Sequence, residues 1–237
     1  MQIRDKHVLI TGGALRIGAA LSELFANLGA KVIIHCNNSL DAAEDLRNRL
    51  PTPENHRILR ADFSHPEAPA ELFAAAGHVD ILINCASVFN TQPLIDESLE
   101  ELEEQLRVNF IAPLELMKHF AAQDLNEGCI VNFTDQRTVS CSDGSGSYLL
   151  SKKSLADATL MAAKQFAPKV RVNAIAPGPV LPPVGLGSGK GMKKVLAELP
   201  LARQVRMEDI LSACVFLIEN ESVTGQILFI DSGQHLI

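Results

Sequence analysis

The sequence has no tryptophan, a single tyrosine and few aromatic residues of any kind, which make up 5% of its 237 positions. None of its apolar stretches approaches the roughly 20 residues that a membrane-spanning helix needs. The amino-terminal residues contain no apolar segment of the kind that directs secretion. We therefore expect a globular, cytoplasmic protein that does not work in or on a membrane.

Positive charge is scarce as well. Lysine and arginine together number 21 against 28 aspartates and glutamates, which gives a net charge of −7, and no basic cluster interrupts this balance. We therefore expect no nucleic-acid partner. The five cysteines are scattered without a C-x-x-C pair, and the seven histidines lack the spacing of metal ligands. These patterns predict free thiols and no metal site.

Short apolar runs rich in β-branched residues alternate with helical patterns along the chain. The runs are apolar at consecutive positions, which is typical of strands buried on both faces of a parallel sheet. Such alternation predicts an α/β fold with right-handed crossovers, namely a three-layer, doubly wound (Rossmann) parallel sheet of about seven strands. The predicted strands are 7–11, 30–35, 57–61, 79–84, 129–134, 170–175 and 226–230, and a long helical pattern covers 99–122.

A stretch rich in proline and glycine, at about 178–200, follows the sixth predicted strand. Only one helix and one strand remain after it, so a linker to a second domain is the weaker interpretation. A mobile substrate flap over the carboxyl edge of the sheet is the stronger one. We accordingly expect residues 1–237 to form a single dinucleotide-binding and catalytic domain.

The turn after the first predicted strand reads TGGALRIG, from Thr11 to Gly18. Glycines let the backbone approach a pyrophosphate, and the helix that follows offers free N–H groups and the positive end of its dipole. Arg16 stands in the first turn of this helix, where the dipole disfavours a cation. A phosphate contact explains it better than a solvated arginine does. We expect a bound dinucleotide here, held by Gly12, Arg16 and Ile17.

The second predicted strand ends without the acidic residue that holds a ribose 2′-hydroxyl in many NAD sites. Neutral and donor side chains stand there instead, which would accept a 2′-phosphate and favour NADP (as NADPH) over NAD. They are His35, Asn37, Asn38 and Ser39. Asn38 and Ser39 are nearly as well explained as a helix cap. Asp62, after the third strand, is a candidate for contacting the adenine edge or simply a turn carboxylate.

Several motifs follow one another at ordinary spacing, and as a set they resemble the short-chain dehydrogenase/reductase family over nearly the whole chain. They are the Thr11–Gly18 turn, Asn84-Cys85-Ala86-Ser87, Asn109, Tyr148-x-x-x-Lys152 and Arg171-Val172-Asn173-x-x-x-Pro177-Gly178. The resemblance implies a homotetrameric oxidoreductase in which Asn109 kinks its helix and supports a proton-relay water. It also implies catalysis by Tyr148 and Lys152, and cofactor contacts from Asn84, Ala86, Ser87, Lys152, Pro177 and Gly178.

Tyr148 and Lys152 are four residues apart, so a helix would place one above the other. A nearby ammonium favours tyrosinate, and we expect it to lower the pKa of the phenol from its usual value near ~10 and make it a usable acid or base. The alternative is a core tyrosine beside a solvated lysine. This alternative is weakened because Tyr148 is the only tyrosine and follows a polar loop.

Asp135 lies thirteen residues before the tyrosine, where the family usually has a serine. This departure resembles the pteridine reductase and dihydromonapterin reductase branch, in which the Phe89 position stacks the pterin ring. The branch is also resembled at Arg16 (in place of the middle glycine), His35, Ser39 and Ser87. An ionised carboxylate suits the amino and N–H donors of a pterin better than a ketone oxygen. Asp135 could instead be protonated in a dry pocket, or be a turn residue at a strand end.

The sequence thus predicts an NADPH-dependent short-chain reductase of a dihydropterin of the dihydromonapterin, dihydrobiopterin or dihydrofolate type. Tyr148 would donate the proton, and Ser87, Phe89, Asp135 and Tyr148 would bind the substrate. A carbonyl or 3-oxoacyl thioester reductase of the same family is the alternative. A non-catalytic dinucleotide sensor is a distant third, because Tyr148 and Lys152 are both intact.

Overall fold

The computed structural model describes residues 1–89, 92–140, 144–181 and 196–237. Seven strands of this part of the chain form one sheet in the order β3-β2-β1-β4-β5-β6-β7, and every neighbouring pair is parallel. The strands are β1 (His7–Thr11), β2 (Lys31–Cys36), β3 (Arg57–Arg60), β4 (Ile81–Asn84), β5 (Gly128–Phe133), β6 (Val170–Pro177) and β7 (Ile227–Ile230). The predicted doubly wound α/β fold is confirmed.

Helices cover both faces of the sheet and enclose two apolar cores. They are α1 (Arg16–Asn27), α2 (Leu40–Arg49), α3 (Ala68–Ala76), α4 (Leu99–Leu106), α5 (Ala112–Ala121), α6 (Gly146–Gln165) and α7 (Met207–Glu219). Successive residues of β1 point to opposite faces, so Val8 and Ile10 join the core under α1, α2 and α7, while Leu9 joins the core under α3, α5 and α6. This burial on two faces explains the consecutive apolar residues of the strands.

The helical pattern over 99–122 is interrupted at Asn109, as predicted. A π-helical turn, Arg107–Ile111, separates α4 from α5, and the N–H of Ala112 donates to the carbonyl of Arg107, five residues earlier. Such turns are frequent at functional sites because they redirect part of a helix surface. The turn places the buried Asn109 side chain beside the loop that follows β4.

Two further sequence-based expectations concern the substrate flap and membrane-spanning helices. The predicted substrate flap at about 178–200 falls mostly on 182–195, which lies outside the described residues. Among the helices that are described, none combines the length and the apolar character of a membrane span.

The β1–α1 turn requires glycine at two positions. A Cβ on Gly18 would overlap the carbonyl oxygen of Gly12. Gly12 itself has φ +64°, and a Cβ there would lie 2.9 Å from the Cα of Ala86. The turn is therefore packed, backbone to backbone, against the loop after β4, and little space is left for any side chain.

We expect Gly18→Ala to lower the free energy of unfolding by about 3 kcal/mol, because the backbone of Gly12 must move to admit the methyl group. Gly144→Ala is the matched control, since no atom lies within 4 Å of a Cβ at that position. The control should stay within about 0.5 kcal/mol of the wild type. Urea unfolding followed by circular dichroism measures both, and equal stability of the two variants would contradict the packing described here.

Candidate active site

The candidate catalytic side chains meet at the carboxyl edge of the sheet. Asp135 follows β5, Tyr148 and Lys152 lie in the first two turns of α6, and Asn109 lies in the π-helical turn. All strands run in the same direction, so their carboxyl ends share this edge. Strand order reverses between β1 and β4, and ligands of open α/β sheets bind outside the carboxyl ends at such a reversal.

Asp135 is the centre of the polar contacts in this site. Its Oδ2 accepts a hydrogen bond from the Tyr148 hydroxyl at 3.0 Å and another from Nη2 of Arg137 at 3.1 Å. Its Oδ1 accepts from the backbone N–H of Arg137 at 2.8 Å and from Nε of the same residue at 3.0 Å. The guanidinium and the carboxylate therefore form a bidentate ion pair. Nη1 of the same guanidinium donates to Oγ of Ser145 at 3.0 Å.

Aromatic rings lie against this ion pair. Phe89 meets the Tyr148 ring edge-on, with the centroids 4.7 Å apart, and its side chain is 52% exposed. The guanidinium carbon of Arg137 lies 5.5 Å from the centroid of Tyr148 and 5.7 Å from that of Phe89, within the range of cation–π attraction. Phe89 thus presents an accessible apolar ring beside the ring of Tyr148.

Lys152 is buried, and its ammonium donates to the carbonyl of Phe133, at the end of β5, at 2.9 Å. Its Nζ lies 5.8 Å from the centroid of the Tyr148 ring. Burial lowers the pKa of Lys152 to about 8, and the nearby charge of Asp135 partly opposes this shift. Lys152 is therefore held beside the tyrosine by the strand, as the i, i+4 spacing predicts.

The prediction that Lys152 lowers the pKa of Tyr148 is wrong for this structure. The phenol is buried, which disfavours tyrosinate, and the charge and hydrogen bond of Asp135 disfavour it further, so the pKa of Tyr148 is raised well above 10. Arg137 opposes the shift without cancelling it. Tyr148 is consequently a protonated hydrogen-bond donor throughout the physiological pH range.

Asn109 connects the π-helical turn to the loop after β4. Its Oδ1 accepts from the Ser87 hydroxyl at 3.0 Å and from the N–H of Val88 at 2.9 Å. Its Nδ2 donates to the carbonyl of Val88 at 2.9 Å and to Oε1 of Gln105 at 3.0 Å. These four contacts fix the exposed Ser87 at the mouth of the site. The proton-relay water expected at Asn109 stays a prediction.

Arg16 adopts the left-handed backbone conformation, with φ +53°. The family pattern has a glycine at this position, and for any other residue the conformation costs roughly 1–2 kcal/mol. The Arg16 side chain is exposed at the start of α1, beside the positive end of the helix dipole. The neighbouring Ile17, in contrast, is partly buried and packs against the core under α1.

His35 supports the same turn from below, and its predicted contact with a 2′-phosphate needs correction. Its Nδ1 accepts from the N–H of Gly12 at 3.1 Å, and its Nε2 lies 3.1 Å from the carbonyl of Ala61, to which it donates. Burial lowers the pKa of His35 to about 4, so the ring is neutral. Both nitrogens are committed to the backbone, and His35 is therefore a positioning residue for the turn.

The predicted nucleotide contacts surround two adjoining cavities at the ends of β2 and β3. The smaller, about 180 Å³, has walls from Gly12, Asn37, Asp62, Ala86 and Ser87, among others. The larger, about 580 Å³, includes Asn37, Asn38, Arg60 and Asp62. The structure thus brings together the predicted residues Gly12, Asn37, Asn38, Asp62, Ala86 and Ser87.

Ser39 and Asp62 bear on the alternatives left open by the sequence. Ser39 precedes α2, but its hydroxyl makes no capping hydrogen bond, so the helix-cap interpretation loses its main support. Asp62 accepts from the N–H of Ser64 at 2.9 Å, and this hydrogen bond lowers the pKa of the carboxyl. Asp62 is thus a turn carboxylate that also faces the cavities.

The cofactor contact expected at Asn84 stays a prediction. The Asn84 side chain is buried, and its Nδ2 donates to Oδ1 of Asn132 on β5 at 2.8 Å, so it joins two strands inside the sheet. Pro177 and Gly178 lie as predicted at the carboxyl end of β6. The N–H of Gly178 donates to the carbonyl of Ile230 at 3.0 Å.

Two residues of the site were not foreseen, namely Arg137 and Ser145. The available signal was the Asp135-Gln136-Arg137 order, since a cation two residues after a carboxylate at a strand end can turn back to it. Asp135 also caps the short 3₁₀ turn Gln136–Val139 through the backbone N–H of Arg137. The interpretation of Asp135 as a turn residue is therefore also correct, and it coexists with the Tyr148 contact.

Comparison with known proteins places this geometry in a family. The family model described as enoyl-(acyl carrier protein) reductase matches residues 13–235. Carbonyl reductase family member 4 from Danio rerio is 30% identical, with 97% of this chain and 98% of the relative covered. D-erythrulose reductase from Gallus gallus is 28% identical, with 98% and 97% covered.

Solved structures give the same result. FolM alternative dihydrofolate reductase 1 from Brucella canis, complexed with NADP, is similar at a TM-score of 0.89 and 33% identity, with 100% of this chain and 97% of that chain covered. A blue fluorescent protein from a metagenomic library, in complex with NADPH, reaches a TM-score of 0.90 at 26% identity, with 98% and 99% covered. Given the fold, the ordered motifs and a match over almost the whole chain, the protein belongs to the short-chain dehydrogenase/reductase family.

Proposed function

We propose that this oxidoreductase is an NADPH-dependent reductase whose substrate is a dihydropterin of the dihydromonapterin, dihydrobiopterin or dihydrofolate type. Membership of the family accounts for the NAD(P)-dependent chemistry, and the substrate is what we infer. The observation that carries it is the carboxylate of Asp135, 3.0 Å from the Tyr148 hydroxyl, at the position where the family pattern has a serine.

The donor set of a pterin matches this carboxylate. A carboxylate only accepts hydrogen bonds, and a pterin offers an amino group and ring N–H donors to it. The ring of Phe89 lies against the ring of Tyr148 and is half exposed, so a flat heterocycle can stack on it. The structural similarity to an alternative dihydrofolate reductase supports the same substrate class.

Substrate binding in this proposal exchanges one hydrogen bond. In the structure, the Tyr148 hydroxyl donates to Oδ2 of Asp135. When it turns to a ring nitrogen of the substrate, the position that it leaves on Oδ2 becomes available to a substrate N–H. Tyr148 then delivers its proton to the nitrogen beside the carbon that is reduced. Its raised pKa keeps it protonated for this role.

The β1–α1 turn and the two cavities at the ends of β2 and β3 suit a nicotinamide dinucleotide. Gly18 and Gly12 leave room only for backbone in the β1–α1 turn, and the α1 N-terminus follows directly. NADPH, when bound, supplies the hydride. We favour it over NADH because Asn37, Asn38 and the Ser39 hydroxyl stand where a carboxylate would repel a 2′-phosphate. The two neighbours described above were crystallised with NADP and NADPH.

A second candidate function is the reduction of a simple carbonyl. Arg137 compensates the charge of Asp135 through two side-chain hydrogen bonds, so a ketone oxygen facing Tyr148 would not meet an unbalanced anion. The relatives named carbonyl reductase and D-erythrulose reductase support this alternative.

Steady-state assays decide between the two candidates. Oxidation of NADPH is followed with dihydromonapterin, dihydrobiopterin and dihydrofolate, and in parallel with D-erythrulose and a 3-oxoacyl thioester. We expect turnover of at least one dihydropterin, with kcat/KM at least tenfold above that for either carbonyl compound, and a higher kcat/KM with NADPH than with NADH. Turnover of carbonyls alone would overturn the pterin assignment.

We expect Tyr148→Phe to lower kcat about a thousandfold, because the variant keeps the ring but loses the proton donor. Dinucleotide binding, measured by titration calorimetry, and the thermal unfolding midpoint serve as controls and should change little. An unchanged kcat would remove Tyr148 from the reaction.

The rate should also depend on the charge of Lys152. Its pKa is about 8, so the ammonium beside Tyr148 is lost as the pH rises through this value, and kcat/KM for reduction should fall above about pH 8. Ionisation of Tyr148 does not cause this fall in kcat/KM, because the pKa of Tyr148 lies far higher. Lys152→Arg keeps a cation and should move the fall, which is the basic limb of the pH profile, above about pH 10. Lys153→Arg, one residue along α6, is the control, and a limb that stays near pH 8 in Lys152→Arg would refute the assignment.

A further inference from the structure

Every acceptor position of the Asp135 carboxylate is occupied in the structure. Oδ1 receives two hydrogen bonds, both from Arg137, and Oδ2 receives one from Arg137 and one from Tyr148. A carboxylate oxygen has about two lone-pair positions, so no further donor can bind without displacing one of these four. Tyr148 is the partner whose hydroxyl can rotate away, whereas Arg137 is held through three separate nitrogens.

The Arg137 side chain is built into the site. It is 23% exposed, lies over the rings of Phe89 and Tyr148, and donates to Ser145, the residue before α6. Its backbone N–H alone satisfies the cap of the 3₁₀ turn, so the turn does not require the guanidinium. An exposed ion pair would contribute little, whereas this one fixes the carboxylate that contacts the proposed proton donor.

We propose that Arg137 is a positioning residue of the reaction, which holds the Asp135 carboxylate in a fixed orientation while Tyr148 turns from it to the substrate. The vacated acceptor position on Oδ2 then faces the substrate, and Arg137 prevents the carboxylate from rotating away from the substrate. This inference rests on the proposed function for the identity of the substrate, but not for the contact between Arg137 and Asp135.

Other titratable groups lie near the ion pair of Asp135 and Arg137. Lys152 approaches from α6, with the Cys85 thiol near it. Glu97 accepts from the N–H of Ser147 at the start of α6. His235 lies on the carboxyl-terminal turn Gln234–Leu236, which packs against the turn that carries Arg137. Of the described residues, Arg137 has the guanidinium that is hydrogen-bonded to both oxygens of Asp135.

The test is a double-mutant cycle on the full chain with NADPH and the best dihydropterin. We expect Arg137→Gln to raise KM about tenfold with little change in kcat, because a substrate donor then meets a carboxylate that is free to rotate, whereas the proton donor Tyr148 is unchanged. Arg137→Lys should restore only part of KM, since it keeps the charge but lacks the planar fork. In an Asp135→Asn background, Arg137→Gln should have little further effect.

Arg49→Gln is the matched control, because Arg49 is also ion-paired, with Glu23 at 3.6 Å, but lies on the surface away from the site. It should change neither KM nor kcat. Additive effects of Arg137→Gln and Asp135→Asn, or a loss of thermal stability with an unchanged KM, would overturn the proposal.

The dihydropterin substrate and the positioning role of Arg137 can be refuted independently of each other. If the wild type reduces a carbonyl compound and no dihydropterin, the proposed function is wrong, and the Arg137 variants are then measured with that carbonyl. An increase in KM that depends on Asp135 would still support the positioning role. An unchanged KM with every accepted substrate would refute it.

Discussion

The hydrogen bond from Tyr148 to Asp135 is the contact on which the rest of the site depends. It joins the end of β5 to the start of α6, and together with burial it keeps the only tyrosine in the chain protonated. A carboxylate in this position would be costly without a counterion, and Arg137 supplies one through a fork of hydrogen bonds. Lys152 adds a second cation whose own pKa is lowered by burial. The site is therefore a small cluster of one anion and two cations.

Buried polar side chains hold the surrounding loops in register with this cluster. Thr11 accepts from the N–H groups of Cys85 and Ala86, each at 3.0 Å, and so connects β1 to the loop after β4. Asn109 holds the next part of that loop from the π-helical turn, and His35 holds the glycine turn. Loops that are fixed in this way give a preorganised site, because little conformational entropy remains to be lost when ligands bind.

The fold was predictable because parallel strands buried on both faces leave a clear pattern in the sequence. The site was predictable where its residues follow strand ends or helical spacing, as with Asp135, Tyr148 and Lys152. The pKa of Tyr148 was not predictable, since an i, i+4 lysine fixes proximity but says nothing about burial or about the carboxylate on the other side. His35 was misassigned for a similar reason. The sequence places it at a strand end, but only the structure shows that both ring nitrogens bond to the backbone.

Arg137 shows how a charged pair can widen or narrow the range of substrates. A bare carboxylate beside Tyr148 would repel the oxygen of a carbonyl and attract any N–H donor. With its charge compensated, Asp135 would discriminate through the direction and number of the acceptor positions left to a substrate, because the backbone N–H and the guanidinium of Arg137 occupy three of the four. In the proposed reaction, the fourth position opens only when Tyr148 turns to the substrate. A substrate that both accepts from Tyr148 and donates to Asp135 uses this exchange fully, and a dihydropterin does both, whereas a simple ketone can only accept.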